Sequence, residues 1–173
     1  RGRNCRDVTV RLDGGEVECG FDRLTRFLRA TAEVPGIVVV AHTLEFRHLA
    51  RSQVTKRDNV VEIGSSLGLC TKILAQASDV VVGFDVSAAH LEESRRTFPE
   101  LRFEFLDIFE EAERFRGMPE SRHCSVCFLD IGGDRELQHV LDAIKILRHC
   151  LPHLRLMVVK SEQLEAAVPK GCE

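Results

Sequence analysis

Three ionisable side chains stand where strand-like runs end: Asp85 after Val80–Phe84, Asp130 after Ser125–Leu129 and Lys160 after Leu154–Val159. Open α/β sheets bind their ligands at the carboxyl ends of their strands, so these positions face a common crevice. An aspartate and a lysine on adjacent strand ends could hold a hydroxyl group and take up its proton. Upstream, Glu62-Ile63-Gly64-Ser65-Ser66-Leu67-Gly68-Leu69-Cys70-Thr71 places a glycine turn between a strand and a helix. Gly64 allows the tight turn, and Gly68 is expected to let a ligand approach the start of the helix. Asp85 lies 21 residues after Gly64, where a carboxylate can accept hydrogen bonds from both hydroxyls of a ribose. Asp107 follows a further strand-like run, Arg102–Leu106.

The elements that position these residues alternate from Asn59 onward. Strands are expected at Val60–Ile63, Val80–Phe84, Arg102–Leu106, Ser125–Leu129 and Leu154–Val159, with helices at Leu67–Ala77, Ala88–Thr97, Phe109–Phe115 and Asp134–Cys150. In the last helix Leu137, Val140, Leu141, Ile144 and Leu147 recur at helical spacing, Asp134 is a candidate N-cap and Pro152 stops the pattern. This order is the signature of a parallel sheet covered by helices on both faces. The pairs Glu92/Arg96 and Glu110/Arg114 read as solvated i,i+4 neighbours.

Residues 1–57 differ. Val8–Leu12 and Glu16–Cys19 flank Asp13-Gly14-Gly15 as a hairpin, and a helix is expected over Phe21–Glu33, with Arg23, Arg26 and Arg29 on one face. Pro35-Gly36 ends it; an apolar run, Ile37–Ala41, then leads to a helix at Leu44–Val54. Formal net charge is −3, which gives no general attraction to nucleic acid or acidic membranes. Residues 1–57, however, carry 11 Lys/Arg against 7 Asp/Glu, so a polyanion would meet this third first. No apolar run approaches the roughly 20 residues of a membrane span. The chain opens on Arg1 rather than Met, which reads as a fragment or a processed product.

Seven cysteines, an odd number scattered through strands and helices, favour free thiols in an intracellular reducing compartment. Cys124 and Cys127 form a C-x-x-C, but on a strand they would point to opposite faces, and no second pair supplies further ligands. No metal is expected. The seven histidines show neither metal-ligand nor triad spacing.

From Asn59 to about Gln163 the chain resembles the class I S-adenosylmethionine-dependent methyltransferases. Glu62-x-Gly64-x-x-x-Gly68 is similar to their first motif, Phe84-Asp85 to the ribose-binding acidic position, Leu106-Asp107-Ile108 to the adenine-binding position, and Ser125–Ile131 to the fourth motif beside the transferred methyl. The resemblance implies a Rossmann-like, doubly wound, mostly parallel α/β fold with an N-terminal hairpin-and-helix extension. Residues 1–57 would pack on a cofactor domain spanning 58–173 that lacks the last two strands of the class, with the hairpin the candidate for covering that sheet edge. It further implies S-adenosyl-L-methionine as cofactor, bound by Glu62, Gly64, Ser65, Ser66, Gly68, Thr71, Asp85, Asp107, Ile108 and Asp130. Ser66 departs from the usual middle glycine. A dinucleotide fold calls for the denser G-x-G-x-x-G spacing and fits less well.

Asp130 and Lys160 resemble residues of the FtsJ-like and fibrillarin-like ribose methyltransferases. FtsJ-like enzymes add an upstream lysine, of which Arg47 is a loose counterpart, and a late glutamate with no counterpart here. Two readings stand side by side: Asp130 and Lys160 act together on a ribose hydroxyl, or Asp130 faces the methionine moiety and Lys160 is a solvated strand end. The implied function is methyl transfer, with RNA a candidate acceptor reached through the basic N-terminal third. The alternative is a non-catalytic methyltransferase-like subunit of a larger protein assembly. The absence of Trp and Tyr leaves any base stacking to Phe or Arg.

Overall fold

The computed structural model of the chain describes residues 7–12, 15–20, 30–132 and 136–167. Strands β1 (Asp7–Leu12) and β2 (Gly15–Gly20) form an antiparallel hairpin that is a sheet by itself. The helix expected over Phe21–Glu33 lies outside the described residues as far as residue 29, and residues 31–33 are not helical.

The central sheet contains β3 (Gly36–Val40), β4 (Asn59–Ile63), β5 (Val80–Asp85), β6 (Arg102–Phe105), β7 (Val126–Leu129) and β8 (Leu156–Lys160). All six are parallel, in the order β3-β8-β7-β4-β5-β6. The edge beyond β8 is therefore not left to the hairpin. The β-branched run Ile37–Val40 continues the sheet there, with Val39 opposite Val159. The boundary expected after residue 57 thus cuts through one sheet: β3 and the helix that follows it are part of the layered core.

Strands buried on both faces read as continuous apolar runs, and β7 (VCFL) and β8 (LMVVK) do so. Their period of two sends Val61, Ile63, Cys127, Leu129, Met157 and Val159 into one apolar cluster. Val60, Val126, Phe128, Leu156 and Val158 go into another on the opposite face. Helix α1 (Thr43–Ser52) and α2 (Leu69–Ala77) cover the second face through Phe46, Ala50, Cys70 and Leu74. α4 (Ala112–Gly117) and α6 (Leu137–Cys150) cover the first through Phe115, Val140, Ala143 and Leu147. α3 (Ala88–Thr97), α5 (Pro119–His123) and α7 (Glu162–Ala167) complete the set.

The helix expected at Phe109–Phe115 starts later because Asp107 Oδ1 accepts from the Phe109 N–H at 3.0 Å, a local turn that holds the segment off helix. Pro119 then begins a separate short helix at its first position. Residues 133–135, including the expected cap Asp134, lie outside the described residues. Two charge pairs close at i,i+3 instead of i,i+4, as Arg96–Glu93 and Arg114–Glu111. Cys124 caps α5 ahead of the strand, so both Cys124 and Cys127 enter the same apolar cluster rather than opposite faces. Burial pushes the Cys124 thiol up to about 12. Among the described residues no helix is long and apolar enough to cross a membrane, and no group of three or more His, Cys, Asp or Glu is gathered as a metal site.

Candidate active site

Strand order reverses between β4 and β7, and the crevice outside their carboxyl ends is where such sheets place ligands. Here the Asp130 N–H donates to the Ile63 carbonyl at 2.9 Å, and Gly64 turns away from the sheet with φ +83°. A Cβ on Gly64 would stand 1.8 Å from the Asp130 carbonyl oxygen, so only glycine lets β4 turn this close to β7. Ser66 follows with φ +47°, a left-handed conformation that a side chain enters at a cost of roughly 1–2 kcal/mol. That strain explains why glycine suits the position where this chain carries serine.

Gly68 serves a different purpose from the one its spacing suggests. It has φ +76° and caps α2, and a Cβ there would come within 2.6 Å of the Phe103 ring. The glycine makes room for Phe103 of β6, and it does not line the cavity. Nor do Ser65 and Thr71. Ser65 is buried with its hydroxyl unpartnered, and the Thr71 hydroxyl donates to Glu62 Oε2 at 2.5 Å. Glu62 is itself buried beneath the turn. Desolvation, with smaller repulsion from Asp130 and Asp85, pushes its carboxyl up to about 7 against the lowering effect of the Thr71 and Cys70 hydrogen bonds.

The remaining expected residues meet in one cavity of about 790 Å³, lined by Gly64, Ser66, Asp85, Asp107, Ile108, Asp130 and Lys160. Asp85 accepts from the Ser66 N–H at Oδ2 and from the Ser87 N–H at Oδ1, both at 2.8 Å. Each oxygen keeps a further lone pair for a ribose hydroxyl. The Asp107 carboxylate sits at the far end, beside Leu106, Ile108 and Phe109, which offer apolar surface for a planar ring. At the other end Lys160 Nζ donates to Asp130 Oδ2 at 2.5 Å and to Thr43 Oγ1 at 3.3 Å. The two charged side chains are only 16% and 21% exposed, so Lys160 is not a solvated strand end.

His90, Phe109 and His139 also line the cavity, and sequence reasoning missed them. His139 Phe109 ring contact is edge-on, with centroids 6.2 Å apart. Phe109 directly follows the Asp107-Ile108 signal and was within reach of it; His90 and His139 lie on helices and gave none.

The residues present fit S-adenosyl-L-methionine. Asp85, Asp107, Glu110 and Asp130 bring four carboxylates to a cavity whose one lysine is tied to Asp130, a setting that suits a cationic sulfonium and disfavours an anionic pyrophosphate. A Rossmann-like α/β sheet with this crevice places the chain in the class I methyltransferase fold, whose cofactor is S-adenosyl-L-methionine. More particularly, the model for the FtsJ-like methyltransferases matches residues 44–168, and the chain belongs to that family. No curated protein sequence matches it. Among solved structures it is similar to a dimethyladenosine transferase from Plasmodium falciparum, at 16% identity and a TM-score of 0.56, covering 74% of this chain and 44% of that one. It is likewise similar to the 23S rRNA methyltransferase ErmE, at 16% identity and a TM-score of 0.51, covering 77% and 51%. The chain thus spans about half the length, or less, of these two structures, and the likeness is one of fold.

Proposed function

We propose that the chain methylates a ribose hydroxyl of RNA at the Asp130–Lys160 pair, with S-adenosyl-L-methionine held across Gly64, Ser66, Asp85 and Asp107. The observation that carries this reading is the 2.5 Å contact between Lys160 Nζ and Asp130 Oδ2 inside the cofactor cavity. When bound, the cofactor supplies a methyl group that is already strongly electrophilic, so the protein's task is to orient the acceptor and take its proton.

An ammonium has three donors; Asp130 and Thr43 engage two, which leaves one to hold the acceptor oxygen. A ribose hydroxyl needs such help, since it is a poor nucleophile until its proton is leaving. An acceptor that is nucleophilic already would gain little from a part-buried lysine there.

The test is calorimetry with S-adenosylhomocysteine followed by transfer of labelled methyl from S-adenosylmethionine to total RNA and to protein extract. Label recovered from RNA as 2′-O-methyl nucleosides is expected. Label in protein alone, or a folded chain that binds no S-adenosylhomocysteine, contradicts the proposal.

A further inference from the structure

Lys160 is connected to a helix as well as to Asp130. Its Nζ donates to Thr43 Oγ1 at 3.3 Å, which sets the first residue of α1 against the reacting pair. Thr43, Arg47 and Arg51 recur at four-residue steps along α1, so they share one flank of the helix at intervals of about 6 Å along its axis. Phe46 and Ala50 take the face buried on the sheet, and Leu44, Glu45, His48 and Leu49 border an apolar groove beside β3. The arginine flank is the one turned away from β3. It lies toward α2, where the Arg47 charge is felt by the Cys70 thiol.

Among the described residues neither arginine meets a carboxylate. Arg51 Nη1 donates to the Arg47 carbonyl oxygen at 3.1 Å, and Arg47 Nε is buried without a hydrogen-bond partner. Lys72, Arg96, Arg102, Arg114 and Arg155 each close on a Glu or Asp, whereas Arg148 on α6, like Arg47 and Arg51, closes on no carboxylate among the described residues and differs from them in its place on the far face of the sheet. A guanidinium left without a carboxylate is available to phosphate, for which its planar fork is well matched. Residues 42–57 hold four Lys/Arg and one Glu, against a cavity dominated by carboxylates. With no Trp or Tyr in the chain, base stacking is left to Phe or Arg, and phosphate contacts supply the charge-driven part of the affinity for a polynucleotide.

Resting on the ribose-methylation reading, we infer that the Thr43–Arg47–Arg51 flank of α1 is the track along which the phosphate backbone of the RNA runs to the Asp130–Lys160 pair. The spacing of its side chains is close to that of successive phosphates on an RNA strand, and its upper end touches Lys160 itself. Binding along it is set by charge and is tolerant of sequence.

The experiment is fluorescence anisotropy of a labelled oligouridylate of about 12 nucleotides, over NaCl from about 50 to about 300 mM, with the full chain saturated in S-adenosylhomocysteine. Arg51→Ala is expected to weaken binding about threefold to tenfold and to reduce the slope of log affinity against log salt by about 0.7, the value of one single-strand phosphate contact. Arg51→Lys should restore most of the slope. Arg148→Ala, on α6 across the sheet, should behave as wild type. The inference is overturned if wild type does not bind the oligonucleotide, if Arg51→Ala matches it in affinity and slope, or if Arg148→Ala is equally damaging. Methyl transfer on the same samples separates the two claims. Arg51-dependent binding without transfer keeps the track and removes the methylation reading, whereas transfer to RNA unaffected by Arg51→Ala removes the track alone.

Discussion

The Ser66 N–H donates to Asp85 Oδ2 at 2.8 Å, and Ser66 holds a left-handed φ of +47°. The carboxylate proposed to hold the cofactor ribose thus also secures the turn between β4 and α2, with the Ser87 N–H on its other oxygen.

Asp85→Ala should lose both roles. S-adenosylhomocysteine affinity is expected to fall by about 1.5–3 kcal/mol, the range for hydrogen bonds to a charged group. Asp85→Asn, which keeps one acceptor oxygen, should lose less. Calorimetry reads both, and an affinity unchanged in Asp85→Ala removes the ribose assignment.

Glu62 makes stability depend on pH. Its carboxyl lies at about 7 in the folded chain against an ordinary 4.5, so between those values the folded state binds the proton and the unfolded state does not. The resulting stabilisation is complete below about 4.5 and lost as pH rises through about 7, a change on the order of 3 kcal/mol. Denaturant unfolding from about pH 5 to about pH 8 should show wild type losing stability, and Glu62→Gln lacking that loss. Parallel curves for the two proteins would remove the buried-carboxyl account.

Two glycines should respond oppositely to alanine. Gly64→Ala combines φ +83° with a Cβ 1.8 Å from backbone, and is expected to cost about 3 kcal/mol or more. Gly117→Ala, where a Cβ meets nothing within 4 Å, should be neutral or stabilising by up to about 1 kcal/mol. Thermal unfolding decides it; equal losses at both positions would contradict the close approach of β4 to β7.

Strand positions were legible because burial on both faces leaves apolar runs such as Met157-Val158-Val159, and Asp85, Asp107 and Asp130 were legible because they sit where those runs stop. The role of Gly68 was not, since spacing does not reveal that the neighbour it makes room for is Phe103, 35 residues on. Ser65 and Thr71 carry the motif's pattern yet are buried, Ser65 because successive residues of a tight turn cannot all face the ligand, and Thr71 because it lies on the inner face of α2 with its hydroxyl on Glu62. The parallel pairing of β3 with β8 joins residues more than a hundred positions apart, and nothing local to Ile37–Val40 names its partner.

Transfer of labelled methyl from S-adenosylmethionine to RNA by wild type and Lys160→Ala tests the central claim most directly. A positioned acid–base group contributes about 10²–10⁴-fold, so the variant should fall by that factor while binding S-adenosylhomocysteine as wild type does. Transfer at the wild-type rate by Lys160→Ala would contradict the account.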